Sequence, residues 1–241
     1  MPREGFAGWR LRSFTTGEFL HLHHGSRRQR GLDSKRVDRW GQSATVLNLW
    51  GLVAIVLAFR KNVWSNRVIA GILAFLWLWI GLAYHIAFFA AINPAAYAFG
   101  ILTIIQGIVF LIFGVFTPRL SFRFRPDAFG ITGALFILYA MIIYPLLGYA
   151  LGHAYPQAPT FGLPCPTTIF TFGMLLWTDI GLPRSALIIP VVWSAVGFMA
   201  ALKLGILEDT GLLVAGIVGL VLILVRDRNA SKQQMGVRDA V

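Results

Sequence analysis

Charged residues are scarce in this sequence, and long stretches contain none. Asp, Glu, Lys and Arg make up 13% of the 241 residues, whereas 57% are hydrophobic and the mean hydropathy is +0.70. Such a composition excludes an ordinary soluble globular domain. It predicts an all-α, polytopic helix bundle that uses the lipid bilayer as its surroundings.

Other absences exclude particular kinds of function. The single cysteine, Cys165, cannot form an internal disulfide. Asp179, near the end of one apolar segment, is the only acidic residue that these segments contain. This scarcity argues against a proton- or sodium-coupled pump, because such pumps usually need an intramembrane carboxylate. The sequence has no glycine-rich phosphate loop, no His-Glu-x-x-His, no Cys-x-x-Cys and no nucleophile elbow. We therefore predict no catalytic residue, and these absences argue against an enzyme without deciding the question.

Basic residues are more numerous than acidic ones, and the net charge is +11. In a soluble protein this charge would suggest nucleic acid as a partner. Here the basic residues form short runs between apolar segments, a pattern typical of membrane topology and lipid headgroup contact. The predicted partner is the lipid bilayer, not nucleic acid.

The apolar segments predict about seven transmembrane helices within residues 44–225. Residues 1–43 form a basic polar arm that we expect to be disordered, and residues 226–241 form a polar tail. The first segment, of 16 residues, would be a helix of about 24 Å, short against a hydrocarbon core of about 30 Å. The segments are 44–59, 68–92, 95–116, 129–151, 167–182, 185–202 and 211–225.

The basic residues also predict the orientation. The links after segments one, three and five, together with the tail, hold 11 Lys and Arg, whereas the other links hold only Lys203. This bias places the first set and the C-terminus in the cytoplasm. Seven crossings would then put the N-terminal arm outside, although its nine basic residues favour the inside. Either the arm is an unusual extension or segment 44–59 does not cross.

The longest break between apolar segments carries four prolines and no formal charge, and lies between segments four and five. We predict that it forms a rigid, proline-rich cap over the non-cytoplasmic ends of the helices. With this topology, the uncommon polar residues gather near the cap and form a candidate ligand-binding pocket. Its residues are His85, Asn93, Gln106, His153, Tyr155, Cys165, Glu208 and Asp209.

Each of these residues also has a simpler interpretation. His85 and His153 could make only structural hydrogen bonds, Gln106 could join two helices, and Glu208 and Asp209 could favour the positive N-terminal end of the next helix. In a more specific interpretation, His85, His153 and Cys165 are candidate ligands for a metal or haem, since imidazole and thiolate groups bind metal ions and haem iron.

Several blocks of the sequence resemble a known family. They are Leu76-Trp77-Leu78-Trp79-Ile80-Gly81, Ile92-Asn93-Pro94-Ala95-Ala96, Gly152-His153-Ala154-Tyr155-Pro156, Pro164-Cys165-Pro166-Thr167-Thr168 and Glu208-Asp209. In these blocks the chain resembles the bacterial multi-pass membrane proteins catalogued as domain of unknown function 6064. The resemblance covers residues 40–225 and implies a bacterial plasma membrane and a compact helical bundle. It implies no substrate.

Three functional hypotheses remain open at this stage. The first is an integral membrane protein that binds a small molecule or cofactor in a polar pocket on the non-cytoplasmic side. The second is a transporter or channel-like permease that uses the kinks at Pro145 and Pro190 as moving parts. The third is a structural subunit that packs against another membrane protein or against a second copy of this chain.

Overall fold

The computed structural model of the chain describes residues 27–60, 62–152, 160–179, 181–204 and 206–238. The chain divides into two compact units, residues 1–41 and 42–241, and the helix bundle lies in the second. Within the described ranges there is no strand, only isolated bridges between Phe122 and Thr178 and between Phe161 and Leu163. The all-α prediction is confirmed for this part of the chain.

The described ranges contain eight α-helices, and three π-helical segments extend or join them. Ile80–Ile86 continues α2, Leu111–Phe116 continues α3, and Tyr139–Ile143 joins α4 to α5. The α-helices are α1 (Arg27–Ala58), α2 (Val63–Trp79), α3 (Ala96–Phe110), α4 (Ala128–Leu138), α5 (Tyr144–Ala150), α6 (Pro164–Leu176), α7 (Ser185–Leu204) and α8 (Thr210–Arg238).

Five helical stretches of the described chain are long and apolar enough to cross a membrane. They are Val63–Ala91, Ala96–Phe116, Ala128–Ala150, Ser185–Leu202 and Thr210–Ala230. Two of the seven predicted segments correspond to shorter apolar helices, Ser43–Ala58 and Pro164–Leu176. The second of these differs from the prediction of a helix over 167–182, because the helix begins earlier and ends at Leu176.

Helix α6 is the centre of the bundle. All of its 13 residues are buried except Cys165, which is half-buried, and α4, α7 and α8 pack around it. A helix that is apolar on every side belongs inside a bundle. The helix ends where Arg226 of α8, itself 5% exposed, donates hydrogen bonds to the carbonyls of Leu175, Leu176 and Thr178. These bonds satisfy carbonyl groups that a helix end leaves without partners.

Small residues let α3 lie directly against α2. A Cβ atom on Gly107 would approach the Ala74 carbonyl oxygen to 3.0 Å and Leu78 Cγ to 2.7 Å. A Cβ atom on Gly114 would collide with the Cβ of Ala70. Gly107 and Gly114, seven residues apart, therefore both face the neighbouring helix.

One end of the bundle carries most of the described basic residues, and we call it the basic end. It is formed by the described residues of the links 59–62, 117–127 and 177–184. Arg123 N donates to Trp177 O at 2.6 Å, and Phe124 N donates to the carbonyl of Ala58, at the end of α1, at 3.2 Å. Arg125 pairs with Asp179 at 3.0 Å. The opposite end of the bundle holds the π-helical turns near His85, the start of α6 and the start of α8, because successive helical stretches run in opposite directions.

Residues 153–159, which include the middle of the predicted cap, lie outside the described residues, as do residues 1–26 of the predicted arm. The described end of the cap segment is packed. Phe161 is 1% exposed, and its ring centroid lies 5.1 Å from that of Phe170 in α6. A Cβ atom on Gly51 of α1 would approach the Phe161 ring to 3.1 Å, so this segment also contacts α1.

Candidate functional site

A cavity of about 210 Å³ lies at the end of the bundle opposite the basic end. Residues of at least five helical elements and of the α7–α8 link form its wall. The side chains that carry polar or aromatic groups are Tyr84, His85, Phe89, Phe99, Tyr144, Cys165, Trp193, Glu208 and Asp209. The structure thus brings together four of the eight residues predicted from the sequence: His85, Cys165, Glu208 and Asp209.

The π-helical segment Ile80–Ile86 places His85 in the cavity wall. A π-helical turn holds an extra residue, so the side chains after it point in directions that a regular α-helix would not give them. His85 is 1% exposed, and its ring lies 5.1 Å from that of Trp193 and 5.9 Å from that of Phe99. Neither ring nitrogen has a hydrogen-bond partner among the described residues. His85 is therefore a buried polar group enclosed by aromatic rings.

A second π-helical segment, Tyr139–Ile143, precedes Pro145 and positions Tyr144. Proline has no N–H to donate back to the preceding turn, and the wider turn accommodates that loss. Tyr144 is 2% exposed, and its hydroxyl donates a hydrogen bond to the Asp209 carboxylate. The Cys165 thiol donates a second hydrogen bond to the same carboxylate. Asp209 therefore joins α5 to α6 across the cavity.

Asp209 lies in the link between two candidate spans and is 4% exposed. Burial raises the pKa of its carboxyl group above the ordinary value, because the charged form loses water. The hydrogen bonds from Tyr144 and Cys165 favour the charged form and partly oppose that shift, whereas the neighbouring Glu208 raises the pKa further. Tyr139 also contacts this link: its hydroxyl donates to the Glu208 backbone carbonyl at 2.7 Å.

The described side chains that line the cavity differ in charge from those of the basic end. Among the described residues, no lysine or arginine lines the cavity, whereas Glu208 and Asp209 both do. The cavity lies at the start of α6 and the basic end lies at its other end, and the 13 residues of this helix span about 20 Å. The cavity is therefore an acidic, aromatic site on a strongly basic protein.

Two predicted residues lie elsewhere. Asn93 is exposed, and its Oδ1 accepts a hydrogen bond from the Ala95 backbone N–H at 3.0 Å, so it shapes the turn that leads into α3. Gln106 is fully buried but donates from Nε2 to the Ala186 carbonyl at 3.1 Å, joining α3 to α7. Neither is among the residues that line the cavity. His153 and Tyr155 lie outside the described residues.

The aromatic residues of the wall were missed as site residues by sequence reasoning. Tyr84 and Phe89 flank His85, and Phe99 lies in the first turn of the next helix. Trp193 lies in the middle of α7, far from the others in sequence. A signal for the first three was present, because they cluster around the Asn93-Pro94 break where the chain reverses. Nothing in the sequence indicated that Trp193 faces them.

Metal and haem chemistry was a hypothesis for His85, His153 and Cys165. In the described parts of the chain, no group of three or more His, Cys, Asp or Glu side chains could together hold a metal ion. The cavity is also smaller than the about 300–1,000 Å³ of pockets that hold drug-sized ligands. Its volume favours a ligand of a few atoms over a macrocycle such as haem.

Comparison with curated proteins gives no match, and comparison with solved structures gives none either. A protein-family model does match, over residues 40–234, and its description is "Family of unknown function (DUF6064)". The match covers most of the helix bundle and all the described residues that line the cavity. This chain belongs to the DUF6064 family.

Proposed function

We propose that this protein is a multi-pass membrane protein of the plasma membrane that binds a small molecule in the cavity at the non-cytoplasmic end of its bundle. The observation that carries the proposal is the convergence of His85, Cys165 and Asp209 from three separate helical regions on one cavity. A buried polar side chain is costly unless it has a partner, and His85 has none among the described residues. A bound molecule would supply it.

The proposed topology has seven crossings and a cytoplasmic C-terminus. Five stretches have sufficient length and hydropathy. The apolar part of α1 would cross as a shorter helix, which local thinning of the bilayer can accommodate. Helix α6 is buried within the bundle, so its length need not match the thickness of the lipid. The 11 basic residues of the links and tail support a cytoplasmic basic end. In this proposed orientation the cavity would lie on the other side of the membrane.

A site-specific test of ligand binding uses the only cysteine. Cys165 lines the cavity and is half-buried, so a small thiol reagent would report on its occupancy. We expect a fraction of the small-molecule extract of the expressing cells to slow modification of Cys165 in the purified protein, as measured by intact-protein mass spectrometry. The matched control is Cys165→Ser combined with Ala195→Cys, which moves the thiol to an exposed position on α7. Equal protection at both positions, or protection at neither, would overturn the proposal.

The orientation has its own test with the same thiol. In intact cells, a membrane-impermeant thiol reagent should label Cys165 without lysis. The control is Cys165→Ser combined with Thr117→Cys, which places the thiol at an exposed position of the basic end. That variant should be labelled only after lysis, and the reverse pattern would contradict the topology.

The two alternative functions receive less support. A continuous polar path from Glu208 towards the arginines near Arg119 would favour the permease hypothesis. The core between the two ends is instead largely apolar, with Phe170, Phe172 and Leu175 of α6 fully buried. A purely structural subunit would need no cavity lined by a buried histidine. Neither alternative accounts for the cavity as directly as ligand binding does.

A further inference from the structure

We propose that the cavity binds a small organic ammonium group, held between the aromatic rings of its wall and the carboxylate of Asp209. This inference rests on the proposed function and assigns the chemical class of its ligand. Three features carry it: the aromatic wall, the acidic side chains with no described lysine or arginine in the cavity lining, and the acceptor that His85 can offer.

The aromatic wall has the composition of a cation-binding cage. Phe99 and Trp193 pack edge to face, with ring centroids 5.5 Å apart and an interplanar angle of 79°. Tyr84 and Phe89 stack at 5.9 Å and 17°, and their ring centroids lie 5.1 Å and 6.3 Å from that of His85. A cation within about 6 Å of a ring face is attracted by the ring quadrupole, and tryptophan is the best such face. Several rings around a volume of about 210 Å³ suit an ammonium group better than an anion.

The charge of the cavity has the sign that a cation requires. Asp209 is 4% exposed, and the groups that contact its carboxylate, the Tyr144 hydroxyl and the Cys165 thiol, are uncharged donors. They satisfy the oxygen atoms but add no positive charge. No described lysine or arginine lines the cavity. A buried carboxylate is costly to ionise without a counter-charge, and a ligand cation would supply one.

His85 adds a hydrogen-bond acceptor among the rings. A neutral imidazole has one donor nitrogen and one acceptor nitrogen. Both nitrogens of His85 lack a partner among the described residues. The acceptor could take an N–H of a protonated amine, whereas a quaternary ammonium group would use the rings alone. A metal ion fits less well, because no three metal-ligating side chains converge in the described parts of the chain.

The test compares two probes of the same shape and different charge. Choline and its uncharged carbon isostere, dimethylbutanol, are titrated calorimetrically into the purified full-length protein in detergent. We expect choline to bind at least about tenfold more tightly, from cation–π attraction and the Asp209 charge. Equal affinities would refute the cation inference but leave small-molecule binding intact. Binding of neither probe would also refute it, and the Cys165 protection experiment would separately decide whether the cavity binds anything.

Two variants locate the interaction. Asp209→Asn keeps a hydrogen-bond acceptor but removes the charge, and should abolish the preference for choline. The matched control is Asp179→Asn at the basic end, which should leave it unchanged. If Asp209→Asn does not fold, Phe99→Leu removes one ring and should weaken choline binding by about tenfold while weakening dimethylbutanol less. Unchanged choline affinity in a folded Asp209→Asn or Phe99→Leu protein would overturn the proposal.

The ammonium group could belong to a free amine or to a lipid headgroup, and a membrane assay separates the two sources. Choline binding is measured in nanodiscs of phosphatidylglycerol, with and without added phosphatidylcholine. A loss of choline affinity when phosphatidylcholine is present assigns the lipid headgroup as the ligand. Unchanged affinity assigns a free cation.

Discussion

The hydrogen bond between Tyr144 and Asp209 can be removed with little other change to the bundle. Tyr144→Phe deletes one hydroxyl group and keeps the ring, which is 2% exposed and packs against Tyr139 with a centroid distance of 6.2 Å. A hydrogen bond to a charged group contributes about 1.5–3 kcal/mol, and one between neutral groups about 0.5–1.5 kcal/mol. We therefore expect a loss of about 1.5–3 kcal/mol in the free energy of unfolding when Asp209 is ionised.

The loss should depend on pH, and its sign follows from the pKa of Asp209. Because burial raises that pKa, the folded state holds more protons than the unfolded state between about pH 4 and the pKa of the folded protein. Stability therefore falls as pH rises through this window. The Tyr144 hydrogen bond favours the ionised form, so Tyr144→Phe raises the pKa further and widens the window. The difference between variant and wild type should grow with pH.

The assay is chemical denaturation in detergent micelles at several pH values, followed by circular dichroism. Tyr149→Phe is the matched control, because this tyrosine lies in the same short helix and is 71% exposed. A double-mutant cycle with Asp209→Asn should give a coupling energy of about 1–2 kcal/mol. A coupling energy below about 0.5 kcal/mol, or equal effects of Tyr144→Phe and Tyr149→Phe, would refute the role assigned to this hydrogen bond.

The remaining predictions concern helix packing and the charge of the cavity. Arg226→Met removes the donor at the end of α6 and should lower the free energy of unfolding by about 1.5–3 kcal/mol, whereas the exposed Arg228→Met should change it by less than about 0.5 kcal/mol. Similar denaturation curves for the two would contradict this. Gly107→Ala should destabilise by about 1–3 kcal/mol because its Cβ would meet the α2 backbone. In the same assay Gly71→Ala, whose Cβ would meet nothing closer than 3.9 Å, should be neutral or stabilising, and the opposite order would overturn the account of this contact. Finally, infrared titration should show a protonated carboxyl band that persists above pH 4 and is absent from Asp209→Asn; a band lost at the pH of an exposed carboxyl would be inconsistent with a raised pKa.

Hydropathy and residue type predicted much of the architecture. The apolar segments beginning near Val68, Ala95, Phe129, Ser185 and Gly211 all correspond to helices long enough to span a membrane. The segment 167–182 was misjudged, because Trp177 and Thr178 look apolar enough to continue the helix. Their place in the structure is decided by partners on other elements, such as the Gly130 carbonyl that accepts from Trp177 Nε1 at 2.8 Å.

Proximity to a helix end was a useful but incomplete guide to the candidate site. It grouped His85, Cys165 and Asp209, which the structure brings to one cavity. It also grouped Asn93 and Gln106, which bond elsewhere. The depth of a residue along a helix can be read from the sequence. The direction in which its side chain points depends on how the helix is rotated about its axis.

By itself, the sequence determined that this chain forms apolar helices joined by basic links, because hydropathy and charge are properties of each segment alone. Only the tertiary structure decided that His85, Tyr144 and Trp193 face a common cavity. An extra residue in a π-helical turn rotates the side chains that follow by about 100°. The packing of neighbouring helices selects where such turns form, so the composition of the cavity wall is a property of the assembled bundle.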